Sequence, residues 1–293
     1  MMNIGVVVNV RKDEDLKHTK ILLDSIKKNG AKYIVSEKIA KNLGLGDNNI
    51  SEESLIEMSD IIVCLGGDGS FLKTSRMILK RDIPIIGINL GNLGFLADVD
   101  KNEIDIAVRK IVTGDYNIEK RMLLETEIIR NNTVIAKDVV LNDVVVSRGA
   151  LSRILHLRTY VDENFMDMFP GDGLIVSTPT GSTAYSLSAG GPIVQPDAGI
   201  IIITPICPHL LYSRSFIATK DKVVKVIVDE DYDHEAMVTV DGQIGYEIRG
   251  GDLIITKQSS KVIKMIKINT RNFLEVLRGK IYDRGKKMRR NEV

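Results

Sequence analysis

The chain has no tryptophan, two cysteines and seven prolines among its 293 residues, and aromatic side chains make up only 5% of it. Two cysteines without CxxC spacing exclude a disulfide scaffold, and four histidines (His18, His156, His209, His234) without ligand spacing give no zinc signature. Cys64 and Cys207 both sit in apolar contexts and are expected to be buried thiols in a reducing compartment. No apolar run approaches the roughly 20 residues of a membrane-spanning helix. The most apolar segment, Gly199 to Leu211, is broken by Pro205 and Pro208. Nor does the N-terminal stretch show the charged, apolar and small-residue succession of a signal peptide, so a cytoplasmic protein is expected, with no membrane partner. An excess of one charge is missing too. Lys and Arg number 40 against 39 Asp and Glu, a net charge of +1, which provides no overall field for nucleic acid. An anionic ligand has to be gripped locally.

What is present is the balance of a globular protein, 44% apolar and 27% charged, at a length that suits about two domains. The first third alternates short apolar runs with helical spacing, the pattern of strand-helix-strand units around a parallel sheet. Strands are expected at Asn3 to Val10, Tyr33 to Ser36, Ile61 to Leu65 and Ile83 to Ile88. Helices are expected at Asp13 to Lys28, Ser70 to Lys80 and Glu103 to Val112. From Asn117 the period changes to two, with turn signals at Asn131-Asn132, Asp162-Glu163-Asn164, Asp241-Gly242 and Gly250-Gly251. Thr133 to Ser147 reads as one strand, and Asp252 to Lys257 and Lys261 to Asn269 as two. The expected division is an α/β domain over 1–116, joined by a C-terminal segment over 270–293, and a β-rich, sandwich-like domain over 117–269. Arg271 to Arg278 reads as a terminal helix that returns to the first domain. The basic tail from Arg278 to Val293, without interleaved aromatics, reads as a solvated charge run.

Three motifs carry chemistry. Gly66-Gly67-Asp68-Gly69-Ser70 follows an apolar strand and opens a helix, where glycines admit a ligand to the backbone and first-turn N–H groups favour an anion. Asp68 is out of place in a pure phosphate site, so it is either a general base, a Mg²⁺ partner, or the N-cap of its helix. Neither a P-loop string nor a GxGxxG after the first strand is present. Phosphate is therefore expected to rest on backbone amides, hydroxyls and a metal, without a P-loop lysine. The second motif runs from Asp172 through Thr178-Pro179-Thr180-Gly181-Ser182-Thr183-Ala184-Tyr185-Ser186-Leu187-Ser188 to Pro192. Its Ser, Thr and Gly content offers small donors to a polyhydroxylated, phosphorylated ligand, or else caps its own backbone. The third is Asn142-Asp143 within a β-branched run: an amide and a carboxylate able to read an adenine edge and a ribose diol, or a strand end.

Taken in order, Gly66 to Ser70, Asn89-Leu90-Gly91-Asn92-Leu93-Gly94-Phe95, Leu141 to Val145, Asp172 to Pro192, Ile203 to His209 and Asp241-Gly242-Gln243 resemble the motif series of bacterial NAD kinases. The resemblance implies phosphorylation of the adenosine 2′-hydroxyl of NAD by ATP, or in some members polyphosphate, to give NADP, with Mg²⁺. It implies Asp68 as the catalytic aspartate, with Gly66, Gly67 and Gly69 at the donor phosphates. Dinucleotide-contacting positions correspond to Asn142, Asp143, Asp172, Thr183, Ala184, Tyr185 and Ser188, with Phe95 lining the pocket and Gln243 in the last motif. Ser70 stands where the family usually has Thr, Asp143 where Glu is commoner, and Pro170 where many members have a longer polar residue. A homo-oligomer, dimer or tetramer, is also implied. The GGDG string occurs in diacylglycerol and sphingosine kinases as well, so a lipid kinase is the rival enzyme, and a non-catalytic NAD(P)-sensing protein the non-enzymatic one.

Overall fold

The computed structural model describes every residue except 47–49, 92–93, 98, 150–152, 234, 269–271 and 281–293. The chain forms two compact units, Met1–Lys120 with Ile263–Val293, and Arg121–Val262.

The first unit contains β1 (Asn3–Val8), α1 (Lys17–Lys28), β2 (Lys32–Val35), α2 (Glu37–Leu43), α3 (Glu52–Met58), β3 (Ile61–Gly66), α4 (Asp68–Met77), β4 (Ile85–Asn89), β5 (Val99–Asp100) and α5 (Ile104–Thr113). All six residues of β3 are buried, because a parallel strand is covered on both faces and needs a continuous apolar run. Helix α5 buries Ile104, Ala107, Val108 and Ile111, one stripe at helical spacing, and ends on Gly114 in the left-handed conformation. Helix α1 starts later than its spacing predicts. Asp13 is buried and its carboxylate accepts the N–H groups of His18 (3.1 Å) and Thr19 (2.8 Å), while Leu16 is held at φ 49°, so regular helix begins at Lys17. Helices α2 and α3, seven residues each, gave no periodic signal in the sequence.

The strands run parallel in the order β2-β1-β3-β4. The chain leaves β1 toward β2 and later returns to β3 on the other side. That reversal opens a crevice at the carboxyl ends of β1 and β3, the place where sheets of this kind bind ligands. Asn9 to Lys12 and Gly67 to Ser70 are the residues that follow those two strand ends.

The second unit holds most of β6 (Asn117–Arg130), then β7 (Thr133–Val140), β8 (Asp143–Arg148), β9 (Leu155–Val161), β10 (Asn164–Gly171), β11 (Gly173–Ser177), the four-residue helix α6 (Tyr185–Ser188), β12 (Ile200–Ile206), β13 (Phe216–Thr219), β14 (Val224–Val228), β15 (Ala236–Val240), β16 (Ile244–Ile248) and the first part of β17 (Leu253–Lys267). One sheet has the order β13-β12-β11-β8-β15-β16, and β10-β9-β14-β17 with β6 and β7 make the other. Val144, Val176, Ile203 and Val238 from the first meet Leu157, Val226 and Ile254 from the second in one core. This is a β-sandwich. The turns fit their signals: Asn131 and Asn132 both have positive φ (49° and 61°), as the tight β6–β7 hairpin requires.

Two strand expectations need correction. The run from Thr133 is interrupted at Leu141-Asn142, because Asp241 takes the backbone N–H groups there out of the ladder. Conversely, Gln258-Ser259-Ser260 does not break β17, since Ser259 is buried and its hydroxyl accepts the N–H of Lys261 at 3.2 Å. The end of β17 belongs to the first unit, where Met265 pairs with Ile85 in parallel and Ile266 and Ile268 join the core. Helix α7 (273–280) follows.

Cys64 is buried, and burial pushes its thiol up to about 11. Cys207 is exposed, against expectation: β12 ends at Ile206 and the chain turns at Cys207 with φ 44°. No helix among the described residues is long and apolar enough to cross a membrane.

Candidate active site

In the first unit, Gly66 closes β3 and Gly67 is the N-cap residue of α4. A side chain at Gly66 would collide with Ser70, whose hydroxyl accepts a hydrogen bond from Asn9 Nδ2 at 2.8 Å. Gly69 faces open space. Asp68 does not cap its own helix, which removes the N-cap reading. Its carboxylate instead reaches the loop after β4: Oδ2 accepts Phe95 N–H at 2.9 Å, and Oδ1 accepts Leu96 N–H at 3.0 Å and Ala97 N–H at 3.1 Å. A carboxylate has about four acceptor positions. Among the described residues three are filled, and the one left is on Oδ2.

Lys12 and Lys280 stand beside this loop, and sequence reasoning identified neither. Lys280 Nζ lies 3.6 Å from Asp68 Oδ2 and 4.2 Å from the centre of the Phe95 ring. Phe273, on the same helix α7, places its ring 6.0 Å from that of Phe95. A Cβ at Gly67 would lie 2.7 Å from Lys12 Nζ. The described end of the basic tail is therefore paired at Lys280 rather than solvated, and 281–293 lie outside the described residues. A cavity of about 420 Å³ opens beside Gly69 and Ser70, lined also by Asn9, Arg11, Lys38 and Lys73.

In the second unit the site elements are local. Thr178 N–H (2.8 Å) and Ser177 Oγ (3.2 Å) donate to Asn142 O, and Thr178 Oγ1 donates to Leu141 O at 2.6 Å. Gly181 lies so close to Asn142 O that any side chain would strike it. On the other flank the Asp241 carboxylate accepts Leu141 N–H (3.0 Å), Asn142 N–H (2.7 Å) and Asp143 N–H (3.3 Å). The backbone of Asn142-Asp143 is thus clamped from both sides. Asn142 and Asp143 are only 9% and 4% exposed, yet neither side chain forms a hydrogen bond with a described residue. Burial, and secondarily the charge of Asp241, raises the Asp143 carboxyl to about 7. An amide and a carboxyl held rigid with open hydrogen-bonding capacity are prepared for a ligand.

Much of the hydroxyl content of the Ser/Thr-rich segment is spent internally. Ser186 Oγ pairs with Thr204 Oγ1 at 3.1 Å, Ser182 Oγ accepts Val194 N–H at 3.1 Å, and Thr180 Oγ1 accepts from Arg121 at 3.3 Å. Thr183 and Ala184 are half-buried, while Tyr185, Ser188 and Gln243 are exposed. Asp172 is not with the others. It precedes β11, whose far end, Ser177, is the residue registered with Asp143, and five residues of strand span roughly 17 Å. Arg148 holds Asp172 through a 2.6 Å hydrogen bond. Among the described residues no three His, Cys, Asp or Glu side chains converge as a metal cage.

An α/β unit with a backbone-held carboxylate at a glycine turn, followed in the chain by a β-sandwich, is the domain pair of a class of phosphotransferases with an alcohol acceptor, the NAD kinases. Residues 4–116 match the ATP-NAD kinase N-terminal domain and residues 141–268 the ATP-NAD kinase C-terminal domain. An NAD kinase of Acetivibrio thermocellus is 61% identical over 289 residues, covering 99% of this chain and 100% of that protein. One from Ruminiclostridium cellulolyticum is 47% identical over 285 residues, covering 97% and 99%. The chain belongs to the NAD kinase family. Among solved structures, an Archaeoglobus fulgidus NAD kinase in complex with ATP aligns with a TM-score of 0.76 at 25% identity, covering 95% of this chain and 99% of that one. Yeast NADH kinase complexed with NADH shares the fold, with a TM-score of 0.86 at 24% identity over 95% and 86% of the two chains. The family excludes the lipid-kinase alternative.

Proposed function

We propose that the enzyme transfers the γ-phosphoryl group of ATP to the adenosine 2′-hydroxyl of NAD, with Asp68 as general base. The observation that carries this reading is the state of the Asp68 carboxylate, fixed by three backbone N–H groups with one acceptor position left on Oδ2. The hydroxyl proton passes to that position as the 2′-oxygen bonds to phosphorus and the bond to the β–γ bridging oxygen breaks, releasing ADP. A base so placed typically contributes about 10²–10⁴-fold, and alignment supplies much of the rest.

Donor phosphates rest on the N-terminal turn of α4, where Gly66, Gly67 and Gly69 leave the backbone accessible. Asn142 reads the adenine edge, Asp143 accepts from ribose hydroxyls, and Thr183, Ala184, Tyr185 and Ser188 extend the contact surface, with Gln243 at its margin and Phe95 lining the pocket. Asp172 engages a separate part of the ligand or of an assembly. We also propose a homo-oligomer, dimer or tetramer, formed through the second unit. Exposed Phe165 and Met168 on strand β10, Phe165 edge-on to Tyr160 at 5.5 Å, support it.

Incubation with NAD and either ATP or inorganic polyphosphate, followed by assay of NADP, tests the reaction and the donor together. No NADP from either donor would end the proposal. Light scattering at micromolar concentration tests the assembly, and a mass of 32.5 kDa would exclude it.

A further inference from the structure

Many phosphoryl-transfer sites place a lysine in the glycine loop itself, where it compensates the donor's charge and the charge redistributed in the transition state. This loop has none, and its one charged side chain, Asp68, has the wrong sign. Yet two cations beside it come from segments far apart in sequence: Lys12 from the turn after β1 and Lys280 from α7. We propose that Lys12 and Lys280 together replace the missing loop lysine, Lys280 acting on the phosphoryl group in transfer and Lys12 on the phosphates behind it. This rests on the kinase reading above and adds two residues that touch the donor.

The roles follow from position. Lys280 Nζ is 3.6 Å from the oxygen of Asp68 that retains an acceptor site, so it stands where the acceptor hydroxyl and the moving phosphorus have to meet. At that distance the pair is an ion pair without a hydrogen bond, and among the described residues no acceptor takes up the ammonium's three donors, which can serve phosphate oxygens. The Phe95 ring, 4.2 Å away and tilted against Phe273, holds the cation in place by its π-face. Lys12 lies over Gly67, on the side of the loop that also faces Asn89. Neither lysine exchanges a proton during the reaction; each supplies fixed positive charge where negative charge gathers.

The test is steady-state kinetics with MgATP and NAD on Lys280→Met, Lys280→Arg and Lys12→Met, with melting temperatures and NAD dissociation constants measured alongside. Lys280→Met should lower kcat by about 10²–10³-fold, the loss typical of one removed charge-stabilising donor, and leave NAD affinity within about two-fold. Lys280→Arg should recover most of that loss. Lys12→Met should act chiefly on the KM for MgATP, raising it about ten-fold or more. If Lys280 merely fastens α7 to Phe95, Lys280→Met lowers the melting temperature while kcat and the KM for MgATP stay within two-fold, and the proposal falls. A rise in kcat also overturns it, because the ammonium would then be an inhibitory cap on Asp68. Should Lys280→Met fail to fold, Lys280→Arg and Lys12→Met decide: an unchanged KM for MgATP in Lys12→Met refutes the shared role. Wild-type enzyme that makes no NADP would sink the kinase reading itself, an outcome separate from any of these.

Discussion

Asp68 and Asp143 stand at strand ends in the two units, and the fold treats them in opposite ways. Asp68 is satisfied before any ligand arrives, by three N–H groups of one loop and a lysine. Asp143 is 4% exposed, accepts no hydrogen bond from a described residue, and lies near a second carboxylate, Asp241. The first is held in place by the fold itself. The second is buried without such partners, and on the function proposed above the dinucleotide supplies them. Stability surrendered at a binding residue is a common trade, and the carboxyl raised to about 7 is what that proposal would lead one to expect.

The largest effect should come from Asp68→Asn. Turnover is expected to fall by about 10²–10⁴-fold, with NAD affinity retained. The amide can still accept from Leu96 and Ala97, but its NH₂ would confront Phe95 N–H, so the melting temperature should fall too. Turnover near the wild-type value would show that Asp68 only ties the loop.

The contrast is sharpest in Asp143→Asn, which should stabilise the ligand-free protein. A carboxyl raised from 3.8 to about 7 on folding holds its proton more tightly in the native state. Wild-type stability from this group is therefore complete below about pH 4 and is lost as pH rises toward 7. The shift corresponds to on the order of 4 kcal/mol, so the variant's advantage should be large at pH 8 and absent at pH 4. The same variant should bind NAD more weakly, and wild-type KM for NAD should rise as pH drops below 7. Equal melting curves at both pH values would contradict this account of Asp143.

Ligand should complete the unfinished site. NAD or NADP at 100 times its dissociation constant should add about 2.7 kcal/mol of stability without ATP. Calorimetry showing no shift with either dinucleotide would remove Asn142-Asp143 as a binding pair.

Asp241→Asn should cost about 1–3 kcal/mol, because Leu141 N–H loses its acceptor. It also removes the charge beside Asp143, so the midpoint of the pH dependence of NAD binding should move to lower pH. A midpoint left in place would separate Asp241 from the titration of Asp143. The smallest effect should be Ser51→Ala, which deletes the hydroxyl accepting Ser54 N–H at the start of α3: about 1 kcal/mol, with kinetics untouched.

The same contrast explains what was legible in the sequence. The second unit's candidate site is built from residues within a few positions of each other, Leu141 to Asp143 and Ser177 to Thr183, so contiguous motifs pointed to it. Asp241 was visible as a turn residue, but that its carboxylate reaches back about a hundred residues to three amides is a tertiary fact. In the first unit, Gly66 to Ser70 announced themselves, whereas Lys12 and Lys280 did not. Their charge is ordinary and only the return of β17 and α7 gives one of them meaning. Composition counts donors without saying where they go: the structure pairs Ser182 with Val194 N–H and Ser186 with Thr204 of β12.

Residues 263–280 complete the first unit, although the 142 residues of the second unit are made before them. On the ribosome, an α/β layer begun at Asn3 therefore waits for nearly the whole chain before its β4 edge is paired by Met265 and its glycine loop receives Lys280. A polypeptide that stops early holds Asp68 without that cation, so translation errors near the end yield chains whose glycine loop lacks its ion pair.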